Sequence, residues 1–323
     1  MSRDYRVIAL GLRVEKGSAD VVGTLRQAAV RAILLKGPLQ QAWLEPGGPG
    51  RASVDVDVLV SAEQLDAAAA ALGTLGYERA VLLPDEPGRE HARVWIAAGR
   101  VPVEVHWSLV GADESKVWEV LSRETETAVL LGDEVEIPNE AARCVIVALH
   151  AAQHGIGQPV IFHDLEKALV ISGVETWRRA LELASAIGGA TPFAGALSLT
   201  PRGRELLREL GATAPVLGER QALSLLTPAP TSRGFYFLAR ERGARAKTVF
   251  LLSKLVPSPG FMRLRYPLAR RKPLGLATAY VMRPFWLARW APAGLRAWLR
   301  ARRLAEASRA NASEREQEID GEG

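Results

Sequence analysis

Cysteine is almost missing from this chain of 323 residues: Cys144 stands alone. A lone thiol cannot close an intramolecular disulfide, so nothing argues for an oxidising compartment. Long apolar runs are missing too. No window of about 18 uninterrupted apolar residues occurs, and Met1-Ser2-Arg3-Asp4-Tyr5-Arg6 opens without the apolar stretch of a signal peptide. A cytoplasmic protein is expected. Acidic residues are scarce in one block: residues 231–310 hold 18 Lys and Arg against 2 Asp and Glu. Residues 1–230 lean the other way, with 22 basic and 29 acidic, and 311–323 carry 1 and 5. The net charge of +5 therefore hides two regions that need separate explanations. With 48% apolar and 24% charged residues, the rest of the composition is that of a globular protein long enough for two domains.

The most informative stretch is Ser53-Val54-Asp55-Val56-Asp57-Val58-Leu59-Val60. Its alternation predicts a strand with Val54, Val56, Val58 and Val60 on one face and Asp55 with Asp57 on the other. Adjacent carboxylates repel. A divalent cation neutralises both, and hard oxygen ligands suit Mg²⁺ or Mn²⁺; the plain alternative is a solvated acidic face. Upstream, Ala32 to Leu35 reads as a strand that ends in Lys36-Gly37 before a helix from Pro38 to Trp43. That arrangement offers backbone N–H groups and one cation to a phosphate. Downstream, Val101 to Trp107 alternates again, with Glu104 and His106 sharing a face. A third carboxylate on a neighbouring strand would complete a two-metal site for nucleotidyl transfer.

Three ordered blocks carry a resemblance: Leu34-Leu35-Lys36-Gly37 with Leu39, Trp43 and Pro46; Arg51 with Asp55, Asp57, Leu59 and Val60; and Val103-Glu104-Val105-His106-Trp107. Together they resemble the uncharacterised bacterial nucleotidyltransferase family of the DNA polymerase β-like superfamily. The likeness continues more faintly through His150, His154, Asp164 and Pro257-Ser258-Pro259. The resemblance implies an α+β fold: a polymerase β-like domain with a small mixed sheet and helices, then a mainly helical domain. It also implies two Mg²⁺ ions, with Mn²⁺ as a substitute, and an NTP such as ATP as co-substrate. Asp55, Asp57 and Glu104 match the metal-binding carboxylates. Lys36 and Gly37 stand where the wider superfamily has a Gly-Ser phosphate turn.

Along the chain, Ser18 to Asp20 is expected to cap a helix reaching Val30, with Val21, Val22, Leu25 and Ala29 as its apolar stripe. Glu45 to Arg51 is a Gly- and Pro-rich loop. Arg51 meets a phosphate or base, or else lies on the surface. Ser61 opens a helix ending at Gly76, and strands follow over Arg79 to Leu83 and Ala92 to Ala97. His91 lines the cleft or lies in an exposed loop. A helix from Asp113 to Ser122 and strands at Thr127 to Leu131 and Val135 to Ile137 close the alternating part. The texture turns helical at Pro138.

These expectations give domains at 1–137 (catalytic), 138–230 (helical) and 231–304 (a basic, aromatic-rich helical extension), with 305–323 disordered. His150 and His154 share a helix face but lack further zinc ligands, so a structural pair or a cleft wall is the better reading. Asp164 is read as a helix cap, while the resemblance, which has an aspartate at this place, leaves contact with the nucleotide or with His150 as the alternative. In the extension, Pro257, Pro259, Pro267, Pro273, Pro284 and Pro292 are expected to cut the helices. Three readings of that block stand: an amphipathic surface for an anionic partner such as RNA, acidic protein or anionic lipid; an arm over the catalytic domain with its aromatics in the core, which is favoured; or a solvated tail.

The functional expectation is a Mg²⁺-dependent nucleotidyltransferase that moves an NMP from an NTP to a hydroxyl of an unidentified small molecule, peptide or protein. Asp55, Asp57 and Glu104 hold metal and do the chemistry. Lys36, Gly37 and Arg51 bind the nucleotide. His106 orients its neighbours or is merely a satisfied strand histidine. The alternatives are a binding or antitoxin-like protein that keeps the fold, and a phosphotransferase acting on the γ-phosphate.

Overall fold

A computed structural model describes residues 3–47, 53–80, 91–155, 159–212, 215–226, 229–270 and 272–321. The chain divides into two compact units, Met1–Gln153 with Pro159–Thr213, and His154–Gln158 with Ala214–Gly323.

The first unit opens with α1 (Arg3–Gln27), β1 (Ile33–Leu34), α2 (Pro38–Leu44), β2 (Val56–Leu59) and, after a 3₁₀ turn at Ala62–Gln64, α3 (Leu65–Thr74). Then come β3 (Glu78–Arg79), β4 (Ala92–Ile96), β5 (Val103–His106), α4 (Glu114–Leu121), β6 (Thr125–Leu130) and β7 (Asp133–Pro138). Helices complete it: α5 (Glu140–His154), α6 (Pro159–Ile171), α7 (Val174–Ala186), α8 (Ala190–Ser198) and α9 (Pro201–Glu209). Among the described residues the strands form one seven-stranded mixed sheet in the order β3-β4-β5-β2-β1-β7-β6. β2 lies at its centre, antiparallel to β1 and parallel to β5.

The alternation in β2 and β5 decides which side of the sheet is apolar. Val56, Val58, Val103 and Val105 face a core that α1 supplies with Val14, Val21, Val22 and Leu25, and α3 with Ala68, Ala71 and Leu72. Val54, expected on that face, precedes the strand and is exposed. The opposite side of the same two strands carries Asp57, Glu104 and His106. Helix α1 starts well before the expected cap at Ser18, because Val14 already belongs to the core and Ser18 is buried inside the helix. Beyond its end Ala29 takes a left-handed conformation (φ 58°) and lies exposed rather than in the stripe. Asn139 starts α5 as expected: its side-chain oxygen accepts from the Ala142 N–H at 3.0 Å.

The second unit contains α10 (Glu219–Leu225), α11 (Ser232–Arg240), α12 (Ala244–Leu255), α13 (Pro259–Arg265) and α14 (Lys272–Gly321). Met262, Ala269 and Ala279 form its small core, with Phe261, Tyr266, Leu276 and Tyr280 packed against them. Arg283 is buried there: its guanidinium donates to the Lys254 carbonyl and the Tyr266 hydroxyl, and lies 5.1 Å from the Phe261 ring centroid.

Two features of α14 differ from expectation. The helix passes through Pro284 and Pro292 without ending. Each proline removes one backbone hydrogen bond without ending the helix, and beyond Pro292 the helix packs so closely that a Cβ added at Gly294 would lie 2.1 Å from the Thr231 hydroxyl. The helix also continues through 305–321, where the sequence points to disorder; Ala, Arg, Glu and Gln there are all good helix formers.

Candidate active site

Strand registry builds the site. In the parallel β2–β5 pair Asp57 stands opposite Glu104, and Leu59 opposite His106. A period of two then puts Asp57, Glu104 and His106 on one face. One potential ligand atom from each of the three lies within 4.8 Å of the others. His106 Nε2 donates to Asp57 Oδ1 at 2.8 Å and lies 3.5 Å from Glu104 Oε2. The Lys36 ammonium donates to the same Asp57 Oδ1 at 3.2 Å. Asp57 and His106 are buried, Lys36 and Glu104 half-buried. The His91 ring stands beside His106, with centroids 5.7 Å apart, so His91 does line this face.

Charge explains the titration of the group. Burial pushes the Asp57 carboxyl up, but Lys36 and the His106 bond together outweigh it and hold it well below the usual carboxylate range. Burial pushes His106 down, and its bonds to Asp57 and Glu104 outweigh that, leaving it raised and favouring imidazolium. Asp55 goes the other way. Burial, then the charges of Asp57 and Glu104, raise it, with the Ser53 bond and Lys36 only partly offsetting them.

Asp55 precedes β2 and stands outside the three-residue cluster. Its Oδ1 accepts from the Ser53 hydroxyl at 3.1 Å, which fixes it at the entrance to the strand. Gly37 adopts φ 96°, ψ −147°, a region essentially reserved for glycine. An added Cβ there meets nothing within 4 Å, so the demand is conformational rather than spatial. Pro38 opens α2 without an N–H, so the phosphate seat expected at this turn has one donor fewer. Arg51 lies outside the described residues. His150 and His154 are half-buried on α5. Asp164 is buried inside α6 rather than at its start, so it is not a cap.

The carboxylates fit a divalent cation: Asp57 and Glu104 converge, with His106 bracing Asp57, and a third carboxylate, Asp55, lies close enough to feel their charge. The His106 Nδ1 is buried without a hydrogen-bond partner, so it is the Nε2 side of the ring that is engaged. Sequence reasoning placed Lys36 at the triphosphate and did not find its pairing with Asp57, a contact between residues 21 apart that no local pattern encodes.

Comparison with known proteins follows the same line. A family model described as an uncharacterised nucleotidyltransferase matches residues 7–202, more than half of the chain. No curated protein matches. The chain is similar to the antibiotic-resistance factor ANT(2'')-Ia in a solution structure, with 14% identity over 53% of this chain and 89% of that one, and a TM-score of 0.37. A crystal structure of ANT(2'')-Ia with adenylyl-2''-tobramycin gives 13% identity over 52% and 94%, with a TM-score of 0.38. An antigenic nucleotidyltransferase-like protein from Paracoccidioides brasiliensis gives 15% over 63% and 94%, again with a TM-score of 0.38. Likenesses of this depth leave substrate and mechanism untouched.

Proposed function

The chain belongs to this family of uncharacterised nucleotidyltransferases, and from that premise we propose that it transfers an NMP from an NTP to an acceptor hydroxyl at the β2–β5 face. The observation that carries the reading is the convergence of Asp57, Glu104 and His106, with Lys36 in contact and Asp55 nearby. Asp57 and Glu104, with Asp55, would hold Mg²⁺ or Mn²⁺, which when bound neutralises the triphosphate and lowers the pKa of the acceptor hydroxyl.

Each protein group has a task in that reaction. His106 holds the Asp57 carboxylate in place through Nε2. Lys36, whose ammonium meets Asp57, turns from it to the β- and γ-phosphates, and Gly37 gives the backbone the bend that brings Lys36 there. Arg51 is assigned to the nucleotide with them. Glu104, more exposed than Asp57, accepts the proton of the acceptor hydroxyl. The acceptor oxygen then bonds to the α-phosphorus, the bond from that phosphorus to the bridging oxygen breaks, and pyrophosphate leaves with the electron pair. The catalytic domain is assigned to 1–137, as the sequence suggests, and the acceptor to a small molecule, peptide or protein hydroxyl in the cytoplasm.

One observation favours a different reading. The Asp57 carboxylate is already satisfied by Lys36 and His106, as it would be in a protein that keeps the fold only to bind. Incubation of the full chain with ATP labelled at the α- or the γ-phosphate, Mg²⁺, and pooled small-molecule and protein acceptors decides between them. Label transferred from the α position supports nucleotidyl transfer. Label from the γ position means a phosphotransferase, and label from neither means a binding protein.

A further inference from the structure

Helix α14 carries an apolar stripe on the side that its own unit leaves uncovered. Leu274, Val281, Phe285, Ala288, Leu295 and Leu299 recur at intervals of three, four and seven residues, so at 3.6 residues per turn they run along one line of the helix. All six are exposed, and Leu274, Phe285 and Val281 reach 81%, 73% and 67%. Half a turn away Ala279, Arg283, Ala301 and Ala305 are buried, which fixes the packed side as the opposite one. Exposed Arg289, Arg296, Arg300 and Arg303 flank the stripe. On α12, which buries no residue, Val249 and Leu252 also lie exposed, with Arg245 one turn from Val249.

We infer that this face of the second unit lies on an anionic lipid surface, with the α14 stripe inserted among the acyl chains and the flanking arginines at the headgroups. The inference is independent of the nucleotidyl-transfer reading. Charge selects the occupant. With 18 basic and 2 acidic residues across 231–310 the region repels a second copy of itself, and Thr278, Ala288 and Pro292 are poor fillers at positions a coiled-coil seam would need. Nucleic acid would match the arginines but not the aliphatic line between them, because bases stack on rings and Phe285 is the stripe's sole aromatic residue. An interfacial helix needs both features together, an apolar line and cations at its border. From Leu274 to Leu299 the stripe is about 38 Å long at 1.5 Å per residue, enough to lie in the membrane plane. No helix among the described residues is long and apolar enough to cross a membrane.

The test is flotation of the full chain with vesicles of phosphatidylcholine alone and of phosphatidylcholine mixed with phosphatidylglycerol. Binding to the mixed vesicles only is expected, weakened by salt. In Val281→Glu with Phe285→Glu it should fall by about tenfold or more, from the lost apolar burial and added repulsion. Arg296→Glu with Arg300→Glu should weaken it as well, and circular dichroism of each variant should match the parent. No binding to anionic vesicles, or binding that survives the Val281 and Phe285 exchange, overturns the inference. So does a dimer that this exchange dissociates in sedimentation, or an oligonucleotide that it releases while vesicle binding is absent.

Discussion

The Lys36 ammonium lies 3.2 Å from the Asp57 carboxylate, with side-chain exposures of 20% and 4%. The chain thus places a monovalent cation of its own where the proposed transfer asks for a divalent one. The two compete for one oxygen atom, and that competition can be measured.

Replacing Lys36 by Met should tighten Mn²⁺ binding in the absence of nucleotide by about tenfold, because the competitor is gone and Asp57 loses a neutralising partner. Transfer from NTP should nonetheless fall by about 100-fold or more, since the triphosphate loses its cation. Calorimetric titration with Mn²⁺ and α-labelled turnover check the two halves. Unchanged metal affinity would mark the ion pair as purely structural.

Asp55 is raised by burial first and then by Asp57 and Glu104, so its charge strains the metal-free fold. Asp55→Asn should raise the melting temperature of the metal-free protein by about 2 °C while reducing transfer by about 1000-fold. The sign with pH follows. A group with a raised folded pKa binds more protons folded than unfolded, so the penalty on stability is relieved as pH falls through the folded pKa and is gone below the unfolded one. The difference in melting temperature between Asp55→Asn and the parent should therefore shrink on acidification, measured by calorimetry with chelator present.

Gly37→Ala places a side chain at φ 96° with open space around it. The expected cost is about 1–3 kcal/mol of stability, from backbone strain alone. Urea denaturation measures it. A loss well below that range would mean that the turn relaxes, in which case NTP affinity should drop instead.

Burial pushes the Cys144 thiol up to about 12, and its Sγ lies 3.6 Å from the Ser172 hydroxyl oxygen. In native protein at pH 8 the thiol should be protonated and shielded, so Ellman's reagent should react only as fast as the core opens. Rapid stoichiometric reaction without denaturant would contradict the burial of α5.

The centre of the sheet was legible because its two strands alternate in a way no helix does: Val56, Val58, Val103 and Val105 had to face together, and Asp57 with Glu104 followed. Other features were hidden for physical reasons. Asp55 follows the same alternation but precedes β2, and a Ser53 bond decides its position. The Lys36 pairing with Asp57 depends on how β1 and β2 come together, which neither segment states alone. Pro284 and Pro292 announce breaks that tertiary packing overrides, so α14 reads in sequence as pieces. Phe285 resembles core in the sequence, and only the helix's packed side reveals it as surface.

The pairing of Asp57 with Glu104 across β2 and β5 also guards the architecture. Sliding either strand by one position would turn its acid inward against α1 and α3 and its valines outward, a misfold penalised because Asp57 would be buried without the Lys36 and His106 bonds that compensate it in the native register. The acids that the proposed chemistry needs would thus also disfavour a slipped register, and a variant with both replaced by leucine should pair its strands less faithfully.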